Sequence, residues 1–241
     1  VAAGIQSARQ KAKTIITEPT PWLGGMLTAA GVSCTDGNHN LPSGLWEEFR
    51  QQLYIHYGTK NLATGWVSNT LFEPHVGDSI FKAMCYKESK YLTLMFGVQL
   101  QSIIKEKNKI TGAVFINRDK KRITVKSKIC IDATEPGDVI ALSGTAYDIG
   151  MEDPVYSKEL IAPGKNNIIQ DLTWVAILKD YGKSADKTIP RPERYDSTIF
   201  FKSCISTFNN DSVASPWTAQ KMLNYGKIKN NKYMINWPAA G

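Results

Sequence analysis

The hydrophobic period of this chain changes once, near Tyr91, and that change limits the folds open to it. Before it, apolar residues recur at helical spacing. Val1, Ile5, Ala8 and Ala12 form one set, Leu45, Trp46, Phe49, Leu53 and Tyr57 a second, and Val76, Ile80 and Met84 a third. After it, short apolar segments follow one another: Tyr91–Gly97, Gln99–Ile104, Ile110–Asn117, Arg122–Ser127 and Lys128–Ala133. The connections KEKNK and RDKK are short and polar, as antiparallel hairpins require. Neither an all-helical bundle nor an all-strand sandwich accommodates both patterns, so the chain mixes helices and strands.

Local signals place the element ends. Lys13–Glu18 (KTIITE) reads as a short strand that finishes on a carboxylate, stopped by Pro19 and Pro21. Gly24-Gly25 marks a tight turn, and Leu27–Asp36 reads as a loop. Ser43 is a natural cap for the second helix and Gly58 its stop, while Pro74 opens the third. Lys128–Ala133 (KICIDA) is nearly continuous in apolar residues, the pattern of a central strand covered on both faces. Glu135–Ser143 then reads as a short helix closed by Gly144. Beyond residue 150 the signal weakens, with Gln170–Leu178 and Thr198–Thr207 strand-like and prolines interrupting the rest.

Composition narrows the function classes. With 241 residues and 42% hydrophobic content the chain can bury a core, and no apolar run reaches the roughly 18–20 residues of a spanning helix. Cys34, Cys85, Cys130 and Cys204 show no CxxC pair and no zinc spacing, so no metal is expected, and one disulfide is neither required nor excluded. The net charge of +7 suits an anionic partner. The excess lysine lies in Lys105–Lys109 and Arg118–Lys128 without interleaved aromatics. Solvated hairpin turns and strand edges explain it, and a nucleic acid partner is not expected.

Two segments hold chemistry. Glu18 stands at a strand end, where a carboxylate accepts hydrogen bonds from ribose hydroxyls, and Gly24-Gly25 would let backbone approach a bulky anion. On residues alone this unit also reads as an ordinary turn between helix and strand, and Glu18 would suit NAD as well as FAD. Ile131–Asp138 (IDATEPGD) leads a strand into a helix start, with Asp132 and Asp138 each able to cap that helix or to face a ligand.

Taken in order, VAAGIQSARQKAKTIITEPTPWLGGMLTAAGVSCTDG and KSKICIDATEPGDVIALSG, with GNHNLPSGLWEEFR and FEPHVGDSIF between them, resemble the glutathione-reductase-like FAD-dependent oxidoreductases. Within these the chain is most similar to a bacterial group of uncharacterised substrate. The likeness is good to about residue 150 and looser beyond. It implies an α/β fold, with a Rossmann-like FAD-binding domain and its three-stranded β-meander formed by residues 1–35 and 91–150. A helical insertion, 36–90, would line the flavin and substrate pocket, and 151–241 would be an incomplete part of a mixed α+β substrate domain. The family's first strand and GxGxxG loop are expected before Val1 and are not in this sequence, so the chain reads as a piece of a longer one.

The same resemblance assigns roles. Glu18 would hold the adenosine ribose, Gly24 and Gly25 the diphosphate, and the backbone of Leu100 the adenine. Thr134 and Asp138 would flank the diphosphate and ribityl chain, and Met26 would begin the stretch beside the isoalloxazine. His39, in the polar loop near the flavin ring, is the candidate acid or base, oriented or replaced by Asp36. His56 and His75 read as helix-surface or packing residues. Cys34 has no near partner for a redox pair, and Trp22, Trp46 and Trp66 read as core or pocket walls. The implied activity is hydride transfer between a small organic substrate and non-covalently bound FAD. A flavin fold kept for binding or assembly is the alternative. Oligomeric state and compartment are left open.

Overall fold

The computed structural model describes residues 1–66, 68–150, 168–169, 173–196 and 219–236. They form two compact units, one comprising Val1–Ile16, Trp22–Thr93 and Thr173–Gly241, the other Thr17–Pro21 and Leu94–Leu172. Strands β1 (Thr14–Glu18) and β4 (Leu92–Phe96) pair in a two-stranded sheet, and the chain passes from one unit to the other within each of them.

The first unit is built on helices. α1 (Ala2–Arg9) buries Ile5 and Ala8, α2 (Gly44–Tyr57) buries Phe49 and Leu53, and α3 (Pro74–Lys87) buries Val76, Ile80 and Met84. These are residues of the helical periods read from the sequence. Phe49 joins the latter two helices, stacking on Phe81 (centroids 4.5 Å apart) and meeting Phe72 edge-on at 5.3 Å. Arg9 ties α1 to Glu48 and Glu88 at 2.7 and 3.0 Å. Gly58 ends α2 with φ at 64°, as expected of a glycine stop, but Ser43 makes no side-chain cap hydrogen bond.

A small second core lies in the same unit. β2 (Ala63–Gly65) and β3 (Ser68–Leu71) form a hairpin that the sequence did not announce. β8 (Ala176–Lys179), β9 (Lys227–Ile228) and β10 (Lys232–Ile235) form an antiparallel sheet in the order β8-β10-β9, with helix α5 (Ala219–Tyr225) leading into β9. Leu71, Ile228 and Met234 are buried together, with Trp66, Val175 and Ile177 against them. Of the Gln170–Leu178 strand expectation, residues 176–178 lie in β8, 173–175 are not strand, and 170–172 lie outside the described residues, as does Thr198–Thr207.

The second unit contains β5 (Val98–Glu106), β6 (Lys109–Asn117) and β7 (Arg122–Lys126), antiparallel in that order, over a core of Val98, Ala113 and Phe115. Its lysine-rich turns, Lys107 and Lys120 among them, are exposed. The Lys128–Ala133 expectation fails. The segment is not a strand, and Ile129 and Ile131 are 79% and 59% exposed. An apolar run becomes a central strand only when neighbours pair with both edges, and no described strand pairs with this one. Its end is instead committed to a local turn around Asp132, from which α4 (Asp138–Ser143) starts.

Candidate functional site

In the first unit the chain leaves Leu23 and turns sharply through Gly24 and Gly25, at φ of 123° and 54°, into a single 3-10 turn, Gly25–Leu27. Only glycine takes up such a φ readily. A Cβ on Gly24 would also lie 2.7 Å from the Phe81 ring. Thr28 closes the turn from inside, its hydroxyl donating to the Leu23 carbonyl at 2.9 Å. Asp78 on α3 accepts the Leu23 N–H at 2.7 Å. The N–H groups of Gly24, Gly25 and Met26 donate to no acceptor among the described residues. Met26, on this turn, is 58% exposed.

The loop after it brings His39 to β3. His39 Nδ1 lies 2.7 Å from the Thr70 hydroxyl, and Thr70 is fully buried. Arg50 of α2 donates to the His39 carbonyl and pairs with Glu47, while its guanidinium lies over the Trp46 and Tyr54 rings. Two contacts, from Thr70 of β3 and Arg50 of α2, therefore fix the histidine. His39 Nε2 has no partner among the described residues. Asp36 is exposed and makes no hydrogen bond there, so Thr70, rather than Asp36, orients the ring. Burial, with Asp36 nearby, pushes the Cys34 thiol up to about 11, which keeps it protonated and a poor nucleophile. Cys34, Cys85 and Cys130 are all free. His56 and His75 are exposed.

In the second unit Glu18 accepts both the backbone N–H and the hydroxyl of Thr20 on one oxygen, at 2.9 and 2.7 Å. Its other oxygen has no partner among the described residues. Leu100 sits in β5 opposite Phe115, beside an irregularity in the ladder between Leu100 and Ser102. Asp132 organises the following turn. Its Oδ1 accepts from the Thr134 N–H and hydroxyl at 3.0 and 2.6 Å, and its Oδ2 accepts the Ile140 N–H at 3.0 Å. Thr134 in turn accepts the Asp138 N–H at 2.7 Å. Of the two acids able to cap α4, Asp132 does so, and the Asp138 side chain is left exposed. Burial raises the Asp132 carboxyl, but the hydrogen bonds from Thr134, Ile140 and Val139 outweigh it and hold it below the usual range.

The model of the FAD dependent oxidoreductase family matches residues 1–240. The chain belongs to that family. Searches of curated proteins and of solved structures each find no match. This flavin-dependent oxidoreductase has FAD as its cofactor, and its residues fit that group. The free Glu18 oxygen is an acceptor of the kind a ribose diol needs. The unpartnered N–H groups of Gly24, Gly25 and Met26 suit a diphosphate. Buried Thr35 Oγ1, Trp46 Nε1 and Arg50 Nε are further polar atoms without partners among the described residues. No described group of histidines, cysteines and acids is arranged to hold a metal ion, and no described helix is long and apolar enough to cross a membrane.

Sequence reasoning passed over Thr70, Arg50, Phe81 and Asp78. Asp78 had a signal: it is an acid flanked by Val76, Gly77 and Ile80 on the apolar side of a helix. Thr70 had none, because the four residues of β3 are too few to show a strand period.

Proposed function

We propose that this oxidoreductase transfers hydride between a small organic substrate and non-covalently bound FAD, on a glutathione-reductase-like scaffold. The family match over residues 1–240 carries the reading. In it, β5, β6 and β7 are the β-meander of a Rossmann-like FAD domain formed by 1–35 and 91–150, with 36–90 and 151–241 contributing the substrate side. Glu18 holds the adenosine ribose, Gly24 and Gly25 the diphosphate, and the Leu100 backbone the adenine. Thr134 and Asp138 lie along the diphosphate and ribityl chain, and Met26 lies beside the ring.

When bound, FAD supplies the two-electron chemistry, which leaves the protein to position and to move protons. His39 does the latter. If Nδ1–H donates to Thr70, then Nε2 carries the lone pair of a base. If Nδ1 accepts from Thr70, then Nε2–H is an acid. A hydroxyl partner permits both, so one histidine can take a proton from a substrate oxygen or nitrogen and return it. Asp36, exposed on the same loop, contributes charge at its mouth.

The test is the visible spectrum of the purified protein, acid release of the pigment, and flavin reduction by candidate substrates. FAD should be released, and His39→Ala should slow reduction by roughly 100-fold or more without loss of flavin. A colourless protein that ignores added FAD would refute the reading and leave the non-catalytic alternative. A His39→Ala enzyme of full activity would remove His39 alone.

A further inference from the structure

No residue of the segment FEPHVGDSIF has a role of its own in the reading above, yet its helix is the floor of the glycine turn. Gly77, Asp78 and Phe81 occupy one narrow arc of α3, and all three meet residues 23–28. Phe81 fills the space under Gly24. A Cβ on Gly77 would lie 2.6 Å from the Phe72 ring and 3.2 Å from the Thr28 methyl, so a side chain there would displace Phe72 and press on the turn. Asp78 holds the first N–H of the turn across 55 residues of sequence.

A carboxylate beneath a turn meant for an anion is an electrostatic liability. Asp78 is only 9% exposed, so water does little to screen it. Lys82, one helical turn on, donates to its second oxygen at 2.8 Å. The pair presents a strong acceptor to Leu23 with no net charge to repel a ligand above it.

We propose that Asp78 is the positioning residue of the glycine turn. By holding the Leu23 N–H it keeps the N–H groups of Gly24, Gly25 and Met26 clear of internal partners and available to the diphosphate, while Lys82 cancels its charge. This rests on the reading of Gly24-Gly25 as the diphosphate contact.

Four full-length proteins test it: wild type, Asp78→Asn, Asp78→Leu and Lys82→Met. FAD affinity is read by titrating the apoproteins with flavin fluorescence, together with the visible band shape of the bound flavin and apoprotein melting. Asp78→Asn retains an oxygen acceptor and should bind within about threefold of wild type, whereas Asp78→Leu should bind at least about tenfold more weakly with an altered band. Lys82→Met should bind several-fold more weakly, because the uncompensated Asp78 carboxylate then repels the diphosphate. Wild-type affinity and spectrum in Asp78→Leu would overturn the inference alone, as would equal loss in Asp78→Asn and Asp78→Leu. So would a lower melting temperature in both with no effect on the flavin. If Asp78→Leu does not fold, the other two decide: a Lys82→Met protein with wild-type affinity overturns it. A wild-type protein that binds no FAD would overturn the underlying reading and the inference with it.

Discussion

The turn at Gly24 and the turn at Asp132 are both proposed to face the flavin nucleotide, and they are held in opposite ways. Asp132 gathers its donors from Thr134 and Ile140, at most eight residues away. The glycine turn depends on Asp78, 55 residues on. The helix that carries Asp78 is anchored in its turn by Glu73, which takes Asn230 and Lys232 from 157 and 159 residues away. A turn of the first kind forms from its own chemistry. One of the second kind exists only once the unit around it has folded, so its geometry is as stable as the unit.

The largest effect should come from cutting the long-range anchor. Glu73 is 1% exposed, accepts Asn230 at 2.6 Å and Lys232 on its two oxygens, and exchanges hydrogen bonds with the Tyr57 hydroxyl. Glu73→Ala removes the buried carboxylate that serves Lys232, Asn230 and Tyr57 together and should cost about 3 kcal/mol in denaturant unfolding. Burial raises the Glu73 carboxyl, but the bonds from Lys232 and Asn230 outweigh it and hold it low. A carboxylate whose folded pKa is depressed stabilises fully above the ordinary carboxylate range, and the stability is lost as pH falls through the folded value. Wild type should therefore lose stability on acidification below about pH 4, and Glu73→Ala should show a shallower decline there. A Glu73→Ala protein as stable as wild type would show that the long-range anchor carries no weight.

A smaller effect is expected of the local turn. Asp132→Ala removes the acceptor that caps α4 and should cost about 1 kcal/mol, within the usual range for a helix cap. Hydrogen exchange should speed in residues 132–143 without change at the glycine turn. Exchange that accelerated in both regions would erase the distinction between them.

The smallest effect is the most pointed. Ser43 occupies the cap position of α2 but makes no side-chain cap bond. Ser43→Ala should change stability by less than about 0.5 kcal/mol, against the roughly 1 kcal/mol that a working serine cap contributes. A full cap-sized loss would show that the hydroxyl caps in solution.

How much of this could be read beforehand follows the same division. Helices α1, α2 and α3 were legible because an amphipathic period is written in consecutive residues, and β5, β6 and β7 because their turns are polar and short. Lys128–Ala133 misled because an apolar run reports a preference for burial, while the partners that would satisfy it lie elsewhere. The β2–β3 hairpin was missed because Ala63–Gly65 and Ser68–Leu71 are too short to show a period. Asp36 was named as the partner of His39 from proximity in sequence, and Thr70 took that place because β3 runs beside the loop.

The sequence by itself therefore determined helices α1, α2 and α3, strands β5, β6 and β7, the family and its cofactor, and the Gly24-Gly25 turn, and it offered Asp132 as one of two caps for α4. Each depends on residues near one another in the chain. The tertiary structure alone decided what stands behind those residues: Thr70 behind His39, Phe81 and Asp78 behind the glycine turn, and Lys232 behind Glu73. The physical reason is that a hydrogen bond or a packed ring depends on distance in space, and folding brings together residues that no pattern along the chain connects.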